Sequence, residues 1–394
     1  MRFVSAILAL AVMAPLVARA GSVSPAGLYR NAEGVALFVG IEHYLPGPAE
    51  NEAFDPRTRQ LTSSTAGATL VSPITEQRRS LRTHNGMLGV SIYYTGSGKR
   101  PTVILIHGND PETREMGFLI PYFVCNGVNV ISYDQRGTGD STGNWFLSGP
   151  QQRAVDVEAV FDSYADDSHV DGKRFGLWGV SNGGWTAPIV ANARPVAFLL
   201  LKSPPAEPVA DNIRYEAEQR LRHDGYDSAA IQQAMDMWSA MFAALDGSGS
   251  WTAAAAKYND AAPEKWFMDS AMPPHLSFPV PAPMIDGFRN AVSFVPAATL
   301  ARLRTPTIAF FGQLDRNVDV AHASLAFRAA FVRTGGDFTE RIFPDSGHSL
   351  LVSRTGFSGE AIKPARYSAG YPEGMLDWLE SRNFLTADET KQRR

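Results

Sequence analysis

The stretch 175–191, FGLWGVSNGGWTAPIVA, decides the fold of this chain. It contains the pattern Gly-x-Ser-x-Gly at 179–183, with Ser181 at its centre. The residues before the pattern are apolar and predict a buried strand, and the residues after it predict a helix. A serine flanked by glycines between a strand and a helix is typical of a strained turn that points the hydroxyl outward. We therefore expect Ser181 to be a nucleophile.

The same pattern occurs a second time at 139–143, with Ser141 at its centre. The residues 134–138 separate it from the preceding predicted strand, and no apolar helix begins directly behind it. These surroundings are those of a glycine-rich turn. We therefore do not expect Ser141 to be the nucleophile.

Short apolar segments recur along the chain without polar alternation, as strands buried on both faces of a parallel sheet do. They lie at 102–106, 128–133, 175–178, 197–201, 307–311 and 340–343. Helical periodicity occurs between them, at 151–164 and 320–332. This alternation predicts an α/β fold with a mostly parallel central sheet and right-handed crossovers.

Three segments lie outside this alternation. Residues 1–20 hold one arginine near the start, an apolar run and the triplet Ala18-Arg19-Ala20, which together predict a cleaved secretory signal peptide. Residues 21–75 alternate β-prone pieces with turn residues, which predicts a small β-rich module with a loop over 45–53. Residues 204–301 show helical periodicity and no strand, so we expect a helical insertion there. Residues 76–203 and 302–394 then form the α/β core.

A serine hydroxyl needs an adjacent base to become a nucleophile, and the base needs a carboxylate to orient it. His348 is the candidate base because it lies in a loop that follows the last predicted strand. Asp315 follows the predicted strand 307–311 and is the candidate carboxylate. We prefer it to Asp319, which stands at the start of a predicted helix, where an acidic residue favours the helix dipole.

Acyl transfer also requires hydrogen-bond donors for a developing oxyanion. The backbone N–H of Asn182, directly after Ser181, is one candidate donor. The second candidate is Asn109, in the turn 107–110 that follows the predicted strand 102–106. Asn109 is also a common turn residue, so its presence there has a purely structural alternative.

Over about residues 80–385 the sequence resembles the α/β-hydrolase superfamily, in which a nucleophile, an acid and a histidine follow in this chain order. The segments that carry the resemblance are His107-Gly108-Asn109-Asp110, 133–141, 179–184, 312–318 and 344–348. The sequence is most similar to secreted bacterial serine esterases and serine-aminopeptidase-like hydrolases with a β-rich N-terminal extension. The resemblance implies the α/β-hydrolase fold, a structural role for the stretch around Ser141, and a cap formed by 204–301. Haloalkane dehalogenases share the His-Gly-Asn turn but carry an aspartate where Ser181 stands, which argues against dehalogenation.

Composition excludes several classes of function. The chain has 394 residues, of which 44% are hydrophobic and 19% charged, a globular balance. Its net charge of −4 and scattered basic residues argue against a nucleic-acid partner. A single cysteine, no His-Glu-x-x-His motif and no phosphate-binding glycine fingerprint mean that we expect no metal and no cofactor. After signal cleavage we expect no stable membrane insertion, and an exported protein of the bacterial periplasm or medium.

The sequence therefore predicts a serine hydrolase that cleaves a small-molecule ester through an acyl-enzyme intermediate. One alternative is an aminopeptidase-type amide hydrolase that uses the same triad on a short peptide. Such an enzyme needs an acidic group in the cap, and the candidates are Glu216, Glu218, Asp236 and Asp286. A second alternative, from another class, is a non-catalytic binding protein on a hydrolase fold. The oligomeric state is left open.

Overall fold

A computed structural model of the protein describes residues 23–65, 67–357, 360, 362–386 and 388–389. The predicted signal peptide, 1–20, lies outside these residues. The strands are β1 (Gly27–Arg30), β2 (Ala36–Tyr44), β3 (Glu50–Asp55), β4 (Gln60–Thr62), β5 (Thr69–Pro73), β6 (Glu76–Thr83), β7 (Gly86–Tyr93), β8 (Arg100–Ile106), β9 (Glu112–Gly117), β10 (Asn129–Tyr133), β11 (Val170–Val180), β12 (Leu199–Lys202), β13 (Thr307–Gly312) and β14 (Phe338–Phe343). The helices are α1 (Leu119–Cys125), α2 (Pro150–Tyr164), α3 (Gly183–Ala193), α4 (Val209–His223), α5 (Ser228–Asp246), α6 (Trp251–Ala261), α7 (Ala282–Val292), α8 (Ala297–Leu300), α9 (Val320–Thr334) and α10 (Pro372–Ser381).

The central sheet of the described chain has eight strands in the order β14-β13-β12-β11-β8-β10-β7-β6. The strands from β14 to β10 are parallel, and β7 and β6 add an antiparallel edge. Strand β8 shows why its sequence is apolar throughout. Val103 and Leu105 pack into the core on one face of the sheet, and Ile104 and Ile106 pack into the core on the other. Both faces of the sheet are covered, which buries the apolar side chains of every residue in the run.

The N-terminal strands form a second, antiparallel sheet in the order β4-β3-β2-β1-β5. Strand β9 also pairs with β2, although it comes from the segment just after the turn 107–110. Backbone hydrogen bonds therefore join this sheet to the rest of the chain. The predicted loop over 45–53 is wrong in its second half, because β3 begins at Glu50. The first residues of β3 are polar, and only Glu50 is exposed, so they form a strand through backbone pairing with β2 and without an apolar pattern.

Between β12 and β13 the described residues form the helices α4 to α8, which we call the cap. The central helix α5 carries its apolar residues on one face, and Met237 and Trp238 are buried in one apolar cluster with residues of α4 and α6. Helix α7 lies against the core, where a Cβ on Gly287 would come within 2.7 Å of the Leu147 side chain. In the part of the chain that the structure describes, no helix is both long enough and apolar enough to span a bilayer.

Candidate active site

Ser181 occupies the sharp turn between β11 and α3. Its φ angle is +53°, a left-handed conformation that costs a serine free energy and that recurs at functional turns. The neighbouring glycines make the turn possible, because a Cβ on Gly183 would lie 2.8 Å from the carbonyl oxygen of Ile106. The Ser181 backbone N–H donates to the Lys202 carbonyl at 2.9 Å, which ties the turn to the end of β12. The sequence pattern therefore forms the expected strand–turn–helix.

Asp315 and His348 are in direct contact. The carboxylate of Asp315 is 3% exposed, and its Oδ2 lies 2.8 Å from His348 Nδ1. Its Oδ1 accepts the backbone N–H groups of Asn317 at 2.8 Å and Val318 at 3.0 Å. One oxygen is thus fixed by the main chain, and the other is left to orient the imidazole, as a triad requires. Asp319 instead caps α9, where it accepts the N–H of His322.

The main chain of His348 is held by Ser203. Ser203 follows β12 directly, is fully buried and has a φ angle of +48°. Its hydroxyl donates to the His348 carbonyl at 2.8 Å, and its N–H donates to Phe310 on β13. Ser181 bonds to Lys202 and His348 bonds to the next residue, so the end of β12 holds the main chains of both residues. Among the described residues no hydrogen bond joins Ser181 Oγ to His348, and in unliganded hydrolases that bond is often long.

The electrostatic surroundings raise the pKa of His348 above its usual value of 6.5. Burial by itself lowers this pKa, because it disfavours the charged imidazolium. The charge and the hydrogen bond of the Asp315 carboxylate, together with the charge of Glu216, raise the pKa by more than burial and the nearby Lys202 lower it. The site therefore stabilises the imidazolium that forms when a base takes a proton.

Asn109 and Asn182 lie side by side next to the serine. Asn182 Nδ2 donates to Asn109 Oδ1 at 3.4 Å, and a Cβ on Gly108 would lie 3.6 Å from Ser181 Cβ. Within the described ranges, the backbone N–H groups of Asn109 and Asn182 have no acceptor in the protein. Two backbone donors beside a nucleophile are suited to an oxyanion.

Ser141, the second serine in a Gly-x-Ser-x-Gly pattern, lies in a buried loop. Its hydroxyl donates to the Asp134 carbonyl at 2.7 Å and accepts the N–H of Gly89 at 3.0 Å. The serine thus satisfies two backbone groups in the interior. His107 is likewise occupied on both ring nitrogens, at 2.9 Å from Glu112 and 2.5 Å from the Tyr133 carbonyl.

Known proteins with a related sequence or fold identify the family of this chain. A family model described as serine aminopeptidase, S33, matches residues 97–354, which is more than half of the chain. The chain belongs to the serine aminopeptidase S33 family. Membership of this family and the order of the strands in the central sheet confirm the predicted fold class, an α/β-hydrolase fold.

Individual relatives of this S33 family member match over shorter stretches. An uncharacterised protein from Mycobacterium tuberculosis is 30% identical over 126 residues, which are 32% of this chain and 44% of the relative. A thiohydrolase from Aspergillus aculeatus is 31% identical over 102 residues, which are 24% of this chain and 30% of the relative. The chain thus matches less than half of the length of these curated relatives. The solved structure of uncomplexed acylaminoacyl peptidase from Pyrococcus horikoshii has a TM-score of 0.52 at 11% identity, covering 88% of this chain and 48% of that chain, and shares the fold.

Two acidic side chains of this S33 family member lie near His348. Glu216, on cap helix α4, accepts from Arg220 at 2.9 Å and is 19% exposed. Burial raises the pKa of Glu216, and its charge interacts with His348 and Asp315. Asp110 ends the turn 107–110 and reaches the surface, yet the protein around its carboxyl and the nearby charges of Glu112 and Glu216 raise its pKa to about 6. Within the described ranges no group of three His, Cys, Asp or Glu side chains could hold a metal ion.

Sequence reasoning missed the residues that support this site. Arg153 is buried and contacts the turn 107–110, and Ser203 holds His348. Arg153 lies in a predicted helix that is polar on its first turn, and Ser203 lies two residues after the predicted strand 197–201. Neither position carries a motif. The supporting role of Ser203 could have been predicted only from its position at a strand end beside the expected site.

Proposed function

We propose that this protein hydrolyses carboxylic esters through an acyl-enzyme intermediate. The observation that carries the proposal is the 2.8 Å contact of His348 with Asp315, close to a serine on a strained turn. A buried carboxylate that binds Nδ1 leaves Nε2 as the nitrogen that can accept a proton. This arrangement suits a base that activates a hydroxyl.

In the proposed first step, Ser181 Oγ attacks the ester carbonyl carbon while His348 Nε2 takes the hydroxyl proton. The carbonyl oxygen becomes an oxyanion that accepts from the backbone N–H groups of Asn109 and Asn182. When the tetrahedral intermediate collapses, the C–O bond to the alcohol breaks and His348 returns the proton to the leaving oxygen. A water then attacks the acyl carbon while His348 Nε2 takes its proton. The bond from that carbon to Ser181 Oγ breaks, His348 returns the proton to Oγ, and the acid is released.

Hydrolysis of a short-chain p-nitrophenyl ester tests this proposal. We expect turnover by the wild-type chain and a loss of at least about 10³-fold in Ser181→Ala, because the nucleophile is removed. Ser141→Ala is the matched control, since it removes the serine of the other Gly-x-Ser-x-Gly pattern. Near-full activity of Ser181→Ala would contradict the proposal.

A second candidate function is the hydrolysis of an amide next to a free amino terminus, and the position of Glu216 favours it. Of the acidic residues named in the cap, Glu216 is the one whose charge interacts with both His348 and Asp315. A carboxylate there could bind a substrate ammonium, with Asp110 as a second anionic group. Aminoacyl p-nitroanilides compared with p-nitrophenyl esters separate the two candidates. If the amide reaction is the main one, Glu216→Gln should raise KM for aminoacyl substrates and leave KM for neutral esters unchanged.

Other observations support acyl transfer over a non-catalytic role. Each side chain of the predicted triad is present, and a binding protein on this fold would have no need of the Asp315–His348 contact. The A. aculeatus relative is named a thiohydrolase, which is also an acyl-transfer activity. Thioesters are therefore a further substrate class for the ester assay.

We also propose that the protein is exported after cleavage behind Ala20. The apolar run and small-residue triplet at the N-terminus support this proposal. N-terminal sequencing of the protein recovered from a bacterial periplasmic fraction or culture medium should begin at Gly21. A cytoplasmic protein that retains Met1 would contradict it.

A further inference from the structure

Arg153, near the start of α2, is a buried arginine whose contacts are to main-chain oxygens and one amide. It is 8% exposed. Its Nη1 donates to the Gly108 carbonyl at 2.6 Å, and its Nη2 donates to Asn109 Oδ1 at 3.2 Å. Its Nε donates to the Ser148 carbonyl at 2.8 Å, and Nη2 also reaches the Trp145 carbonyl at 3.2 Å. One guanidinium therefore spans two loops.

The charge of Arg153 has no direct partner, which is unusual for a buried arginine. In the part of the chain that the structure describes, no carboxylate lies within 4.0 Å of its guanidinium. Arg136, which is similarly buried, binds both oxygens of Asp156. Burial lowers the pKa of Arg153, since a buried cation is costly, and the more distant charged groups, Glu112 among them, offset only part of this effect. Because this buried guanidinium binds main-chain carbonyls and no carboxylate, we infer that its role is to fix the positions of those carbonyls.

The first of the two loops is the turn 107–110, which carries the proposed oxyanion donor. The Gly108 carbonyl belongs to the same peptide unit as the Asn109 N–H, so a bond to that carbonyl fixes the direction of that N–H. Gln135 Nε2 also donates to the Gly108 carbonyl, at the longer distance of 3.2 Å. Arg153 thus makes the shorter of the two bonds that orient this peptide.

The second loop, 144–149, is the surface on which cap helix α7 rests. The rings of Phe146 and Phe288 meet edge to face at 5.2 Å. A Cβ on Gly149 would lie 2.3 Å from the Asn290 carbonyl oxygen, so the backbones of loop and helix are in close contact. Arg153 therefore connects the position of α7 to the turn beside Ser181.

We propose that Arg153 is a positioning residue that holds the Asn109 N–H toward the oxyanion. It also couples the turn 107–110 to the loop 144–149, against which cap helix α7 packs. The inference rests on the proposed function, since an oxyanion forms only if Ser181 attacks a carbonyl. Arg153 touches no reacting atom. It acts through the Gly108–Asn109 peptide, and it should influence the transition state more than the bound substrate.

The test compares Arg153→Met and Arg153→Lys with Arg136→Lys, a change at the similarly buried arginine that does not contact the turn. Loss of an oxyanion donor costs about 10²–10³ in kcat, and a misdirected donor should cost about 10–100-fold. We expect this loss in Arg153→Met, with KM within about three-fold, and a smaller loss in Arg153→Lys, which can replace only part of the fork. Binding of a boronic acid, which mimics the tetrahedral intermediate, should weaken in parallel with kcat. Arg136→Lys should lower stability without either change.

The coupling to the cap is tested by Phe288→Ala alone and together with Arg153→Met. We expect Phe288→Ala to lower kcat in the wild-type background and to have little further effect in Arg153→Met, because the connection is already broken. Additive losses would overturn the coupling. A wild-type protein without turnover would refute the proposed function. The positioning role would be refuted by unchanged kcat and boronic acid affinity in Arg153→Met. It would also be refuted by a crystal structure of Arg153→Met in which the Gly108–Asn109 peptide has not moved.

Discussion

At the scale of single residues, the site depends on the carboxylate of Asp315, whose two oxygens make different hydrogen bonds. Asp315 receives two backbone N–H groups on one oxygen and the imidazole of His348 on the other. The first interaction fixes the carboxylate and the second fixes the tautomer of the histidine. Asp319, four residues later, has a different task because it begins a helix and caps it. The sequence distinguishes the two aspartates by their positions relative to a strand and a helix, and in the structure they make different contacts.

The pH dependence of catalysis follows from the same contact. A general base must be neutral, so activity falls as the pH drops through the pKa of His348. Asp315 raises that pKa, and the acid limb of kcat/KM should therefore have its midpoint above 6.5 in the wild-type chain. Asp315→Asn should lower kcat by about 10³–10⁴-fold and shift the acid limb to lower pH, because the main opposition to the effect of burial on the pKa of His348 is then removed.

A pH profile of ester hydrolysis from about pH 5 to pH 9 measures both effects. Asp319→Asn is the control, because asparagine is also a good helix cap and the change leaves Asp315 in place. It should retain activity within a few-fold. An acid limb that does not move in Asp315→Asn would contradict the role given to this carboxylate.

At the scale of elements, the sequence predicts the strands that are apolar throughout and misses the strands that are rich in polar residues. The strands buried on both faces, such as β8 and β13, are visible because every residue in them is apolar. Strands β3 and β9 are rich in Glu and are formed by backbone pairing that joins distant parts of the chain, so no local pattern marks them. Arg153 was missed for the same reason, since its partners are backbone carbonyls of two loops that come together only in the fold.

The structural role of Ser141, the serine of the second Gly-x-Ser-x-Gly pattern, can be tested by substitution. Ser141→Ala removes the acceptor for the Gly89 N–H and leaves it buried, which should cost about 1–3 kcal/mol of unfolding free energy. Turnover per folded molecule should stay within a few-fold, because the hydroxyl faces the interior. Urea unfolding and ester kinetics on the same samples measure the two quantities, with Ser163→Ala on the exposed face of α2 as the control. A fall in kcat without a fall in stability would speak against the structural role.

At the scale of the whole molecule, the N-terminal sheet is joined to the core beside the site. A Cβ on Gly117 of β9 would collide with carboxylate oxygens of both Glu42 and Glu52, so these two carboxyls crowd one point. Lys202, at the end of β12 next to the Ser181 turn, places its ammonium 5.7 Å from the ring centres of Tyr367 and Tyr371 and interacts with both glutamates. Charges of the N-terminal sheet therefore lie close to the end of the central sheet at which the candidate site lies.

The crowded carboxyls make stability depend on pH. Burial, and then the charges of Glu52 and Glu112, raise the pKa of Glu42 well above its usual 4.5. The folded chain thus holds a proton that the unfolded chain releases near pH 4.5, so the free energy of unfolding falls as the pH rises above that value. Glu42→Gln should be more stable than the wild type at pH 8 by roughly 1 kcal/mol or more, and the difference should vanish near pH 4.

Thermal or urea unfolding at several pH values measures this difference. Glu50→Gln, an exposed change at the start of β3, is the matched control and should alter stability by no more than about 0.5 kcal/mol at any pH. A Glu42→Gln chain that is less stable than the wild type at pH 8 would show that the carboxylate is charged and paired in the folded state.

Labelling by a fluorophosphonate probe, mapped by peptide mass spectrometry, tests the central claim most directly. The probe forms a covalent bond with an activated serine and needs no knowledge of the substrate. We predict that the folded wild-type chain is labelled on Ser181 and not on Ser141, and that Ser181→Ala and the heat-unfolded chain are not labelled. An unlabelled Ser181 in folded protein, or a label on another serine, would contradict the account.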